Sequence, residues 1–165
     1  WEIADCAKMV GIDTRINFNS QQYKLFLEYT NTLVYCFESE TDANSNCFYE
    51  HSTYLSGSRY YGRAFGSTYD SDANVYVLGL IGQFDNSHGF TTLLRYAQLN
   101  KDGGNFDSEW APKPLKEDIM MLELSYRLPA FNGMLTLGGS VANSKFEVQA
   151  NDSQGTIFST YEYKF

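Results

Sequence analysis

Basic side chains are scarce: 12 Lys and Arg stand against 20 Asp and Glu in a chain of 165 residues, a formal charge of −8, and no Lys/Arg run occurs. The summed field would repel phosphate, which argues against a nucleic-acid partner. Also missing is any stretch approaching the roughly 18 to 20 uninterrupted apolar residues of a membrane-spanning helix. A helical membrane protein is therefore excluded, whereas a β-barrel is not. Histidine is limited to His51 and His88, and no G-x-S-x-G sequence occurs. Hydrolysis needs a nucleophile, a base and an orienting acid within reach, or paired carboxylates at a set separation. His51 has Glu50 and Ser52 beside it, but neighbours on an extended segment point opposite ways, so no enzyme is expected. Asp70, Asp72, Asn74 and the stretch from Asn100 to Asn105 lack the full calcium-loop pattern and read as solvated turns. No nucleotide loop or haem motif occurs, and neither a metal nor a cofactor is expected. The chain opens on Trp1 without a basic-then-apolar-then-small signal segment, as expected of a processed chain or a fragment.

What is abundant is aromatic and apolar: 13 Tyr, 12 Phe and 43% hydrophobic residues overall. That is too apolar for a disordered segment and long enough for one ordinary domain. The period of the pattern is two, as in strands whose alternate side chains face opposite sides. Seven segments show it, at residues 10–18, 23–30, 74–84, 89–99, 118–128, 134–143 and 155–165. In the first, Val10, Ile12, Thr14, Ile16 and Phe18 oppose Asp13, Arg15 and Asn17. The fifth is the cleanest: Met120, Leu122, Leu124, Tyr126 and Leu128 oppose Met121, Glu123, Ser125 and Arg127. Residues 74–84 are apolar on both faces, with Tyr76, Leu78, Leu80 and Phe84 as the consistent set. The charges Asp13, Arg15, Lys24, Glu28, Arg95, Glu123, Arg127, Glu162 and Lys164 all fall on the less apolar face. Mixed signs there could pair across a lumen.

A soluble β-sandwich would alternate too, with its apolar side inward. Two features favour the membrane. Connections alternate between short ones at 19–22, 85–88 and 129–133 and long ones at 36–72, 100–117 and 148–154, matching the short periplasmic turns and longer external loops of outer-membrane barrels. At the short-turn end, Phe18, Tyr23, Phe84, Phe90, Tyr126, Tyr163 and Phe165 line up on the apolar face, with Tyr29, Tyr76 and Tyr96 farther along. Rows of rings suit the headgroup level, although aromatics also favour strands in general. The expected fold is all-β: an antiparallel up-and-down transmembrane β-barrel with about seven strands visible here. Bacterial barrels have even strand numbers, and an open edge in lipid leaves backbone groups unpaired. Residues 1–165 are thus expected to be the C-terminal portion of a larger barrel domain whose upstream strands lie outside this sequence.

The chain ends at Phe165, preceded at alternate positions by Tyr163 and Tyr161. This resembles the terminal assembly signal of bacterial outer-membrane proteins, read by the barrel assembly machinery. Between Thr30 and Ala73 the sequence carries CFYEHSTY and GSRYYGRAFGSTYDSDA, followed by VYVLGL and later LLRYAQLNKDGG. These motifs resemble the C-terminal part of Wzi-type capsule assembly proteins, a likeness running from roughly Gly11 to Phe165. The resemblance implies an outer-membrane β-barrel lectin that helps attach capsular polysaccharide to the bacterial surface. It implies capsular polysaccharide, outer-membrane lipid and the assembly machinery as partners; a monomer is expected. The parent it implies has more strands and a periplasmic helical section.

Residues 48–72 suit sugar, since aromatic faces stack on pyranose C–H groups while polar side chains exchange hydrogen bonds with hydroxyls. Tyr49, Tyr54, Arg59, Tyr60, Tyr61 and Arg63 are the leading candidates, with His51 beside them and Trp110, Asn105 and Asp107 as weaker ones in the next long loop. Arg forks could grip uronate carboxylates. The competing reading is structural: glycines at 57, 62 and 66 let a loop fold into the barrel, with Arg59 and Arg63 paired to Asp70 and Asp72. Cys36 and Cys47 bracket a polar loop predicted to be external, where an oxidising envelope allows a disulfide; two free thiols are the alternative. Cys6 has no assigned partner. Rival functions are an outer-membrane diffusion channel and an outer-membrane enzyme acting on lipid or polysaccharide.

Overall fold

A computed structural model describes residues 7–33, 59–60, 63–64, 73–101, 116–147 and 150–163. Seven long strands form one antiparallel sheet in the order β1-β2-β5-β6-β7-β8-β9. They are β1 (Lys8–Phe18), β2 (Gln21–Asn31), β5 (Ala73–Gln83), β6 (Gly89–Leu99), β7 (Glu117–Ala130), β8 (Gly133–Phe146) and β9 (Asp152–Tyr163). Each long strand pairs with its predecessor in the sheet, as an up-and-down wall requires. Two short strands, β3 (Arg59–Tyr60) and β4 (Arg63–Ala64), make a separate ladder. The wall is not closed: β1 and β9 are its edges, consistent with part of a barrel.

The cross-strand register carries each expected face intact through the sheet. One row runs Leu27, Leu78, Leu94, Leu122 and Val141 through directly paired positions. The neighbouring row on the other side runs Glu28, Val77, Arg95, Met121 and Ala142. Accessibility separates the two sides in an order opposite to that of a water-soluble sheet. On β7, Met120, Leu122, Leu124 and Tyr126 are 57%, 42%, 50% and 43% exposed, while Met121, Glu123 and Ser125 between them are only half-exposed. Among the described residues the buried hydrophobic ones are Ala73, Val75 and Ala97, packed with Val77, Leu99 and Ile119. They lie on the charge-bearing face at the long-connection end, which explains why β5 reads as apolar on both sides. The apolar stripe thus runs across all seven strands on the more exposed side, and large patches of this kind mark contact with a partner protein or a membrane.

At three positions within the wall a ring packs over a glycine in the adjacent strand. Phe26 lies over Gly79, Phe90 over Gly82 and Phe158 over Gly138, so that a Cβ on any of these glycines would fall 2.1–2.3 Å from a ring carbon. Each ring and glycine are direct register partners. A flat ring over a bare backbone restores the packing that the missing side chain would have supplied.

Connections depart from expectation in length. The β1–β2 turn is only Asn19–Ser20, both at positive φ (47° and 62°), and the β7–β8 turn only Phe131–Asn132 (46° and 62°). Two consecutive left-handed residues match the twist of the flanking strands. Pro129, expected in a turn, instead pairs with Met134 inside the β7–β8 ladder. The β8–β9 connection is also shorter than expected, because β9 starts at Asp152, whose segment is polar and lacks an apolar alternation. The strict short–long alternation therefore holds for the first two long connections and not for the third.

Candidate functional site

The wall presents its two longest connections at one end, and local hydrogen bonds fix where they leave. Thr32 N–H donates to the Ala73 carbonyl at 2.9 Å and Ala73 N–H to Thr32 Oγ1 at 2.9 Å. The two ends of the excursion through residues 34–72 are thereby held side by side, one residue beyond the β2–β5 ladder. Leu33 N–H donates to Asn31 Oδ1 at 2.7 Å, an Asx-type bond that ends the strand. At β7 and β8, Glu147 N–H donates to the Lys116 carbonyl at 3.4 Å and the two side chains pair at 3.6 Å.

Within the long excursion the backbone of β3 and β4 brings three of the expected sugar residues into one ladder. Arg63 stands opposite Tyr60, and Arg59 opposite Ala64. The remaining candidates, Tyr49, His51, Tyr54, Tyr61 and Trp110, lie outside the described residues, as do Asn105, Asp107, Asp70, Asp72, Cys6, Cys36, Cys47 and Phe165.

The charge-bearing face carries ion pairs: Lys24–Asp13 at 3.0 Å, Arg95–Glu123 at 3.6 Å and Arg127–Glu162 at 2.7 Å. They run along the wall between near-neighbour strands, whereas the sequence suggested pairing across a lumen. Arg95 Nη1 also lies 3.7 Å from Met121 Sδ, and Lys24 Nζ sits 5.6 Å from the centre of the Phe26 ring. Among the described residues no three His, Cys, Asp or Glu side chains gather as a metal site.

At the short-turn end, Tyr161 of the terminal motif donates to the Phe131 carbonyl at 2.6 Å, with the Ala130 carbonyl at 3.3 Å. It thus ties β9 to the left-handed β7–β8 turn. His88, in the turn after β5, places Nδ1 2.9 Å from Tyr126 Oη, and its ring centre lies 5.7 Å from that of Tyr126. Tyr23, Phe84 and Phe90 form a ring cluster at the same end, with centroid separations of 5.9–6.5 Å. Tyr23 also donates to Gln21 Oε1.

At the opposite end of the exposed apolar face stands the second aromatic row. Tyr29 and Tyr76 lie 4.9 Å apart and Tyr76 and Tyr96 6.4 Å apart between ring centres. Beyond it comes a row that sequence reasoning missed: Asn31, Asn74, Gln98 and Asp118, in direct register. The signal was present, because each sits two residues outward from Tyr29, Tyr76, Tyr96 or Met120 on its own strand. Asn31 Nδ2 donates to Tyr29 Oη at 3.1 Å, Tyr29 Oη to Asn74 Oδ1 at 3.3 Å, and Gln98 Nε2 to Asp118 Oδ1 at 3.3 Å.

A search of curated protein sequences finds no match. Among solved structures, the chain is similar to Wzi of Escherichia coli, an outer-membrane protein involved in group 1 capsule assembly and characterised as a carbohydrate-binding β-barrel. The TM-score is 0.68 at 17% identity, covering 95% of this chain and 33% of that one. The likeness establishes the shared fold, and this chain spans about a third of that protein's length. The family model for capsule assembly protein Wzi matches residues 1–157, so the chain belongs to the Wzi capsule assembly family.

Proposed function

We propose that this chain is a section of an outer-membrane barrel wall whose long connections bind capsular polysaccharide and help hold it at the cell surface. The observation that carries this is the Wzi family match along residues 1–157. It is supported by a wall whose apolar side is the more exposed one and by a carbohydrate-binding structural neighbour. Binding is non-covalent and no turnover is involved. Tyr49, Tyr54, Tyr60, Tyr61 and Trp110 supply stacking faces, while Arg59, Arg63 and His51 supply hydrogen-bond donors. Each contact is weak, and repetition along a polymer converts weak contacts into avidity. Cys36 and Cys47 form a disulfide that limits the loop's freedom. The barrel is monomeric, sits in outer-membrane lipid and is inserted by the assembly machinery.

Deleting residues 37–71 from the intact protein tests the assignment, with capsule retention scored separately from barrel insertion. Capsule is expected to be lost while insertion persists; normal insertion with full capsule would remove the site from this loop. A diffusion channel is the second reading, favoured by the ion pairs on the charge-bearing face. Ion conductance of the reconstituted intact protein that capsule sugar cannot block would support it.

A further inference from the structure

Along the exposed face, the chemistry changes in three steps toward the long-connection end. The row of Leu27, Leu78, Leu94 and Leu122 gives way to Tyr29, Tyr76, Tyr96 and Met120, and then to Asn31, Asn74, Gln98 and Asp118. Each step is two residues of strand, or about 6.6 Å. Tyr76 and Tyr96 remain 45% and 38% exposed, so their rings stay open on the side away from the sheet.

We infer that this belt is a docking surface for the sugar headgroups of membrane glycolipids. The inference rests on the outer-membrane reading above and concerns a surface separate from the loop assigned to capsule. The ring row offers stacked faces suited to pyranose C–H groups. The row beyond offers amides that both donate and accept, the complement of sugar hydroxyls. At the centre of the belt, on β2, β5 and β6, Asn31, Asn74 and Gln98 are neutral, with Lys8 beside Asn31 on one side and the negative Asp118 beside Gln98 on the other. A headgroup recognised through its phosphate would call for cations at that centre; among the described residues the nearby cations stand at the flanks, at Lys8, Lys145 and Lys116, the last already paired with Glu147. The occupant is a lipid and not a free polymer because the belt continues directly into the leucine row. A ligand lying across both must be polar at one end and hydrocarbon at the other.

The test uses the intact protein that carries this chain, reconstituted in phosphatidylcholine nanodiscs. These contain a minor fraction of either digalactosyldiacylglycerol or phosphatidylglycerol. Lipid retained through mild detergent extraction is counted by mass spectrometry. The sugar lipid is expected to be enriched over phosphatidylglycerol by about fivefold to tenfold, the scale of one or two net hydrogen bonds. Asn74→Leu/Gln98→Leu is expected to abolish the preference, while Asn17→Ala/Gln22→Ala, on the other face and at the other end, leaves it intact. Asn31 is kept because its side chain also ends β2. Equal retention of the two lipids, or preference for phosphatidylglycerol, overturns the inference. So does binding of free capsule polymer in detergent that the Asn74→Leu/Gln98→Leu variant loses. A spin label at Leu122 in the same discs keeps the two failures apart. If it is reached by a lipid-soluble quencher while the preference is absent, only the glycolipid inference falls; if it is shielded, the membrane reading falls with it.

Discussion

Replacing Leu122 by Arg places a cation on the exposed apolar stripe, two register pairs from the Tyr96–Met120 row and four from the Phe90–Tyr126 row. That position is near the middle of the band that would meet hydrocarbon, where a lipid-facing Arg costs about 2–4 kcal/mol. Ser140→Arg is the matched control. Ser140 is the cross-strand partner of Glu123 on the opposite face, next in register to the Leu122–Val141 pair, so the new guanidinium gains an anionic neighbour instead of hydrocarbon. An exposed or half-exposed pair of that kind changes stability by no more than about 1 kcal/mol. The two variants should therefore differ by at least about 1–2 kcal/mol, or roughly 5- to 30-fold in the folding equilibrium. Equilibrium denaturant unfolding of the intact protein in lipid vesicles measures the difference. Where Leu122→Arg prevents insertion altogether, spin labels at Leu122 and Glu123 give the same answer through a lipid-soluble quencher. Equal costs for the two arginines, or a quencher that reaches Glu123 and not Leu122, would refute the assignment of the faces.

Gly138→Ala should destabilise by about 1–3 kcal/mol through overpacking, because its Cβ would fall 2.3 Å from Phe158 Cζ and 2.9 Å from the Leu124 carbonyl oxygen. Adding Phe158→Ala should recover part of that loss in a double-mutant cycle, and no recovery would show that the ring yields freely. Tyr161→Phe should cost about 1 kcal/mol and speed hydrogen exchange at the β7–β8 turn; unchanged exchange would mean the turn holds without the hydroxyl. Glu162→Gln should shift stability by less than about 1 kcal/mol, since the Arg127 and Glu162 side chains remain 48% and 61% exposed, and about 1 M salt should erase the difference between variant and parent.

The faces of the wall were readable in the sequence, and the ends of its strands were not. Face assignment depends only on a period of two, which Met120 through Leu128 display without interruption. A strand end depends on which backbone groups find partners, and side-chain type reports that weakly. Pro129 shows the difference: the pattern places it in the connection at 129–133, yet it pairs with Met134, since a hairpin ladder alternates paired and unpaired N–H groups and can carry a proline. Asp152 and Ser153 lack apolar alternation, yet β8 extends their ladder. The ring-over-glycine pairs are not legible in the sequence, because Phe26 and Gly79 lie far apart in it and meet only through register. For the proposed sugar site, Arg59, Tyr60 and Arg63 do fall in one short ladder, which spacing alone could not establish, since a two-strand ladder is too short to show a period.

The wall and its connections answer to different physical demands. A lipid-facing position asks only for an apolar side chain, so Leu, Val, Ile and Tyr interchange on that stripe and the chain can diverge there at small energetic cost. At 17% identity the neighbouring structure keeps the sheet across 95% of this chain, as expected when the wall is specified by pattern. Recognition of a saccharide asks for particular donors and ring faces at set separations. The bonds between Thr32 and Ala73 and between Lys116 and Glu147 stand between these regimes. They fix the points from which the long connections depart, so that sequence change in the wall need not move what the loops present.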